Sequence, residues 1–290
     1  MRLHTEVRGP DRGYPVLCLH GHPGSGSAMD VFSAPLAEMG FRTYAPDLRG
    51  YGRSRTKSPF EMTRHLDDLE ALLVEREIAH CLVLGWSLGG ILTMELALRH
   101  PEVVQGMVLV GSAARPRGSH PPISLMDNVM TGLAGLVNWV MPGGRGASAL
   151  GKKSLFRYLI CHHTPAAYRY LAAEGAPAVI KTSRHAYAAL NRAIRTGYNR
   201  VPDLRALTMP SLMLCGECDR HITAESSLET TRALSNREAH CYPETAHLFP
   251  WEIPTRVNED IHSWLSAHGF VANKLSNITP GPSSDERLGM

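Results

Sequence analysis

The sequence predicts an α/β protein, a mostly parallel sheet with helices on both faces and one helical cap inserted into it. Three observations predict this. Short β-prone runs alternate with longer segments of helical periodicity, the alternation stops once between residues 112 and 202, and a glycine-flanked serine stands where one run hands over to a helix.

The runs Val16 to Leu19, Arg42 to Pro46, Leu82 to Trp86, Gly106 to Val110, Leu212 to Cys215 and Ala239 to Tyr242 are short, apolar or β-prone, and bounded by turn residues. Each predicts a strand. Met29 to Met39, Met62 to Glu77, Leu88 to His100, Ala224 to Leu234 and Pro254 to His268 carry helical spacing between them, so the strands run parallel with right-handed crossovers. Residues 1–111 and 203–270 therefore form the core. From 112 to 202, glycine, methionine and aromatics recur at helical spacing without strand patterns, which predicts a helical cap or lid. Its segment Met126 to Met141 is strongly apolar. Residues 271–290 are rich in Ser, Pro, Gly and Asn and lack apolar periodicity, predicting a flexible tail.

At 290 residues with 43% hydrophobic content the chain can bury a large core. Formal net charge is +3, and the cations are spread along the chain, so no nucleic-acid partner is expected. No run approaches the roughly 20 apolar residues that cross a bilayer. Charges within Met1 to Gly9 replace the apolar stretch of a secretory signal, so a soluble cytoplasmic protein without a membrane partner is expected. Cys18, Cys81 and Cys215 sit in apolar runs as reduced core residues. Cys215 and Cys218 have C-x-x-C spacing but no companion ligands, and His162 and His163 lack a third ligand nearby. No metal site is expected.

Gly85, Trp86, Ser87, Leu88 and Gly89 form a G-x-S-x-G between a strand and a helix. Small residues on either side let the chain turn sharply and lift the serine hydroxyl above the sheet edge, where it can attack a carbonyl. An alcohol at its ordinary pKa is a poor nucleophile and needs a base, which needs an orienting acid. His247 in Thr245-Ala246-His247 and Asp219 in Gly216-Glu217-Cys218-Asp219 both follow strand ends, the edge at which sites form in parallel sheets. Glu217 is the alternative acid. Two backbone amides would serve as oxyanion donors: that of Leu88, just past the nucleophile, and that of His22 in the His20 to Gly24 loop. Trp86, Met126, Met130, Trp139 and Leu248 are the candidates for the substrate pocket.

HGHPGS at His20 to Ser25, DLRGYGRS at Asp47 to Ser54, GWSLGG at Gly85 to Gly90, GECD at Gly216 to Asp219 and TAH at Thr245 to His247 together resemble an α/β-hydrolase fold serine hydrolase. The resemblance implies eight strands, a cap after the sixth, and no cofactor. It is similar within the family to carrier-protein methyl esterases through GWSLGG, which leaves a carrier-bound acyl group open as a partner. The expected activity is hydrolysis of an ester or thioester of a mainly apolar small molecule through an acyl-enzyme. The alternatives on the same triad are a carbon–carbon bond hydrolase and an aminopeptidase, and from another class a small-molecule-binding member without catalysis. Oligomeric state is not legible.

Overall fold

Central strands buried on both faces fix the architecture of the computed structural model, which describes residues 1–271; the expected tail falls, from residue 272 on, outside the described residues. Seven strands, β1 (Thr5–Arg8), β2 (Pro15–Leu19), β3 (Arg42–Pro46), β4 (Cys81–Trp86), β5 (Val104–Val110), β6 (Ser211–Gly216) and β7 (Arg237–Tyr242), form one sheet in the order β1-β3-β2-β4-β5-β6-β7. β1 pairs antiparallel with β3, and every other pairing is parallel. The resemblance implied eight strands; the described residues hold seven, and the insertion follows the fifth strand instead of the sixth. β1 has the sequence Thr-Glu-Val-Arg, a half-buried edge strand too polar to register as an apolar run.

All six residues of β4 and of β6 are buried, as a sheet covered on both faces requires. Alternating residues sort into two apolar layers. Leu17, Leu19, Val83, Leu109 and Met213 face one way, towards α2 (Arg64–Glu75) and α3 (Leu88–Arg99). Val16, Cys18, Leu84, Val108 and Leu214 face the other, against Phe32 of α1 (Asp30–Glu38) and Trp264 of a C-terminal helix, Pro254–Ala267. Each such buried aliphatic side chain contributes about 1.5–3 kcal/mol of transfer free energy, so a one-residue slip of any central strand would exchange both layers at once.

Between β5 and β6 the chain is helical: α4 (Leu125–Val140), α5 (Arg145–Gly151), α6 (Pro165–Tyr170), α7 (Ala176–Lys181) and α8 (Arg184–Arg195), with a π-helical turn, Leu171–Gly175, joining α6 to α7. A reciprocal cap starts α4, in which the Ser124 hydroxyl accepts from the Asp127 amide (3.1 Å) and the Asp127 carboxylate accepts from the Ser124 amide (3.0 Å). The insertion is tied to the sheet domain beside the His247 loop. Leu248 N–H donates to the Leu159 carbonyl (2.9 Å). The buried Glu252 carboxylate accepts from the amides of Cys161 (3.1 Å), His162 (2.5 Å) and Ala246 (3.3 Å). α9 (Ala224–Ala233) and α10 (Phe249–Glu252) flank β7, and the Pro254–Ala267 helix becomes α11.

Candidate active site

Ser87 turns β4 into α3 in one residue, with φ 55° and ψ −115°, a left-handed conformation that a non-glycine residue adopts at a cost of about 1–3 kcal/mol. The flanking glycines permit the turn. A Cβ on Gly85 would fall 2.3 Å from the Gly89 carbonyl, and one on Gly89 would fall 1.9 Å from the Leu19 carbonyl oxygen, so the helix can close on the strands only where side chains are missing. Gly21 belongs to the same geometry, because its Cβ would lie 2.7 Å from the Trp86 ring and 3.1 Å from Ser87 Cβ. The His20–Pro23 loop thus lies directly against the serine.

His247, on the loop between β7 and α10, places Nε2 3.1 Å from Ser87 Oγ and Nδ1 2.7 Å from Asp219 Oδ2. A carboxylate only accepts, so Nδ1 donates to Asp219, which leaves Nε2 to accept from the serine hydroxyl. Asp219 is held in turn. Its Oδ1 accepts from the amides of His221 (2.7 Å) and Ile222 (2.9 Å). Ser87, Asp219 and His247 are all buried, and this low-dielectric setting strengthens each bond. Glu217 instead is exposed and accepts only from the Glu244 amide, at 3.3 Å. Glu217→Gln should therefore change kcat/KM by less than about threefold, read from initial rates on a chromogenic ester.

The Leu88 N–H opens α3, where it has no intrahelical acceptor, and points from the helix end beside Ser87. Aromatic rings line the surroundings. Trp86 lies 5.5 Å from the His247 ring and 4.7 Å from Trp251, on which Tyr170 stacks at 3.9 Å. His221 also packs on His247, at 4.8 Å, and Tyr187 of α8 meets the His22 ring at 4.5 Å, edge to face. Of the five pocket candidates, Trp86 and Leu248 are buried beside His247. Met126 and Trp139 stand on the solvent side of α4, 66% and 70% exposed, Met130 is half-buried, and no hydrogen bond or ring contact joins the three to the triad. An apolar periodicity locates a face without saying what it faces.

His221, Tyr187, Trp251 and Tyr170 were not singled out in the sequence. Only His221, two residues after Asp219, carried a positional signal. Asp47 ties its loop by accepting from the Gly26 and Arg53 amides (both 2.7 Å), and Arg49 grips Asp68 with two bonds (2.7 and 2.6 Å), as structural anchors do. His163 bonds the Tyr168 hydroxyl, and among the described residues no group of three or more His, Cys, Asp or Glu is placed to hold a metal.

Burial pushes His20 down to about 4, only partly offset by the Gly21 carbonyl and Asp47, and pushes His22 down to about 4, with His20 adding to the effect. His20 is a neutral structural link: Nδ1–H donates to the Gly21 carbonyl (2.7 Å) and Nε2 accepts from the Leu48 amide (3.0 Å). An unfolded chain protonates these rings near 6.5 while the folded one resists, so their stabilisation is complete above 6.5 and disappears as pH falls towards 4. The melting temperature is expected to decline through that window, measured by circular dichroism at constant ionic strength.

The sheet, its serine elbow and the imidazole that bridges alcohol and carboxylate define the α/β-hydrolase fold. The chain belongs to the family described as serine aminopeptidase, S33, whose model matches residues 14–253. It is similar to a putative carbamate hydrolase, RutD, of Variovorax paradoxus, 34% identical over 118 residues that make up 40% of this chain and 44% of that protein. It is also similar to the lipase LipV of Mycobacterium tuberculosis, 33% identical over 117 residues, again 40% and 44%. The chain thus spans less than half the length of these relatives. A thermophilic esterase of Thermogutta terrifontis superposes with a TM-score of 0.70 at 24% identity, covering 91% of this chain and 93% of the other, a likeness of fold.

Proposed function

We propose that the chain is a serine hydrolase that cleaves an ester or thioester of a mainly apolar small molecule through an acyl-enzyme. The single observation that carries this is His247 bridging Ser87 and Asp219 at 3.1 and 2.7 Å. Ser87 Oγ attacks the carbonyl carbon while His247 Nε2 takes its proton, and Asp219 stabilises the imidazolium. The oxyanion is held by the amides of Leu88 and His22, each such donor being worth about 10²–10³ in rate. His247 returns the proton to the departing alcohol or thiol, and water, activated by the same ring, releases the acid. The Trp86 ring beside His247, backed by Trp251, and Tyr187 against His22 support an apolar substrate.

An aminopeptidase holds the free amino group of its substrate with a carboxylate. The insertion has two, and both are engaged, Asp127 by Arg157 (2.7 Å) and Glu174 by Ser27 (2.6 Å), which favours the ester reading. A panel of matched esters, thioesters and aminoacyl anilides distinguishes the two, with higher kcat/KM expected for esters; a preference for anilides would reverse the order. For the nucleophile, fluorophosphonate treatment followed by peptide mass spectrometry should mark Ser87, and a label on any other residue overturns the assignment.

A further inference from the structure

Charge and exposed apolar surface are both concentrated in the insertion. Residues 112–202 hold twelve of the chain's 30 Lys and Arg but two of its 27 Asp and Glu, which leaves 18 cations against 25 anions elsewhere. The dispersal of cations along the sequence conceals this asymmetry. Among the described residues, twelve of the fourteen exposed large apolar side chains also lie there. They follow α4, where Leu125, Val129, Leu133, Leu136 and Val140 form one stripe between 45% and 81% exposed, continued by Trp139 and Met141. Over 16 residues the stripe is about 24 Å long. Its one acid, Asp127, is turned inward to Ser124 and Arg157.

We propose that this face docks on an anionic lipid surface. A helix with an exposed apolar stripe, flanked by cations and clear of exposed acids, lies in the interface of a bilayer with its apolar side chains among the acyl chains. Arg145, Lys152 and Lys153 are exposed, in no ion pair, and follow directly from the end of α4 onto α5, which packs against it; Arg169 and Lys181 are likewise exposed and unpaired. Phosphate headgroups complement them. A second copy would bring like charge against like charge, so the same asymmetry opposes self-association. No helix among the described residues is long and apolar enough to cross a membrane, and the proposed contact is one of α4 lying in the interface.

A relay of side-chain contacts connects the inner side of α4 to His247. From Asp127 of α4, Arg157 bonds at 2.7 Å and lies over the Tyr158 ring, Tyr158 stacks on His120 (5.8 Å), His120 on His221 (6.1 Å), and His221 packs on His247. Lipid-dissolved acyl compounds would reach the site from that side. Docking itself does not rest on the catalytic reading, and its test reads binding alone.

Trp139 supplies the probe, since it is 70% exposed while Trp86, Trp251 and Trp264 are 5%, 7% and 1%. The full chain is mixed with vesicles of phosphatidylcholine, with or without phosphatidylglycerol, and followed by co-sedimentation and tryptophan emission. Binding to the phosphatidylglycerol vesicles is expected, with a blue shift that Trp139→Phe removes and high salt weakens. Lys152→Glu with Lys153→Glu should weaken binding about tenfold or more, and Leu133→Glu should abolish the blue shift while the circular dichroism spectrum stays native. Absence of binding to either vesicle, equal binding to both, or a salt-resistant dimer that shields Trp139 would each overturn the proposal.

Discussion

Ser87→Ala is expected to lower kcat on a short-chain chromogenic ester by about 10⁴–10⁶-fold while leaving KM within a few-fold. The loss is large because the three side chains act as one unit. Without the hydroxyl, His247 Nε2 has no alcohol at 3.1 Å to deprotonate, and the bond from Nδ1 to Asp219 then orients a base that serves nothing. The elbow should survive the substitution. Its left-handed φ of 55° strains alanine about as much as serine, and the Ser87 backbone contacts, its N–H to the Val110 carbonyl (2.8 Å) and its carbonyl to the Gly90 amide (3.0 Å), do not involve the side chain. Unchanged melting with lost turnover therefore identifies chemistry as the cause. Equal, negligible turnover of wild type and variant on the whole ester panel would instead favour a binding protein.

Local patterns carried most of the fold. The runs Arg42 to Pro46 and Leu82 to Trp86, and the helix beginning at Leu88, stand within a residue of their expected bounds: β4 is continuously apolar because it is buried along its whole length, while β3, half-buried at Arg42 and Tyr44, shows as a β-prone run bounded by turns. The meeting of Ser87, Asp219 and His247 was anticipated for a related reason: strand, turn and helix leave a signature around Ser87, and Asp219 and His247 each follow a strand end. What was missed is long-range. β1 is held at the sheet edge by backbone pairing with β3, which its polar side chains do not announce. Tyr187 reaches His22 across 165 residues, and nothing within α8 marks it for that contact. The direction in which the apolar stripe of α4 points is likewise set by packing against α5 and the Leu171–Gly175 turn, which is why Met126 and Trp139 were expected around the substrate and stand in solvent. Segment-wise charge was present in the sequence throughout, and only the boundaries of the insertion make it visible.

Asp219→Asn should reduce kcat by about 10³–10⁴-fold with little change in stability, and the structure dictates the reason. Oδ1 of Asp219 accepts from two backbone amides, His221 at 2.7 Å and Ile222 at 2.9 Å, while Oδ2 faces His247 Nδ1. An asparagine there has one oxygen, and the two amide donors require it on their side. Its NH₂ group must then face Nδ1, which can meet a donor only as an acceptor, so the imidazole proton moves to Nε2. That nitrogen now donates towards Ser87 and cannot remove the serine proton. The ring keeps its contacts with Trp86 and His221, so the defect is one of tautomer and not of placement. Asp219→Ala provides the contrast, since it strands both backbone amides and should lower stability by about 1–3 kcal/mol for each as well as impair turnover. Two-dimensional NMR of the histidine ring nitrogens reads the proton position directly: a shift from Nδ1–H to Nε2–H in the asparagine variant is expected. Retention of Nδ1–H together with near-normal kcat would remove Asp219 from the catalytic unit.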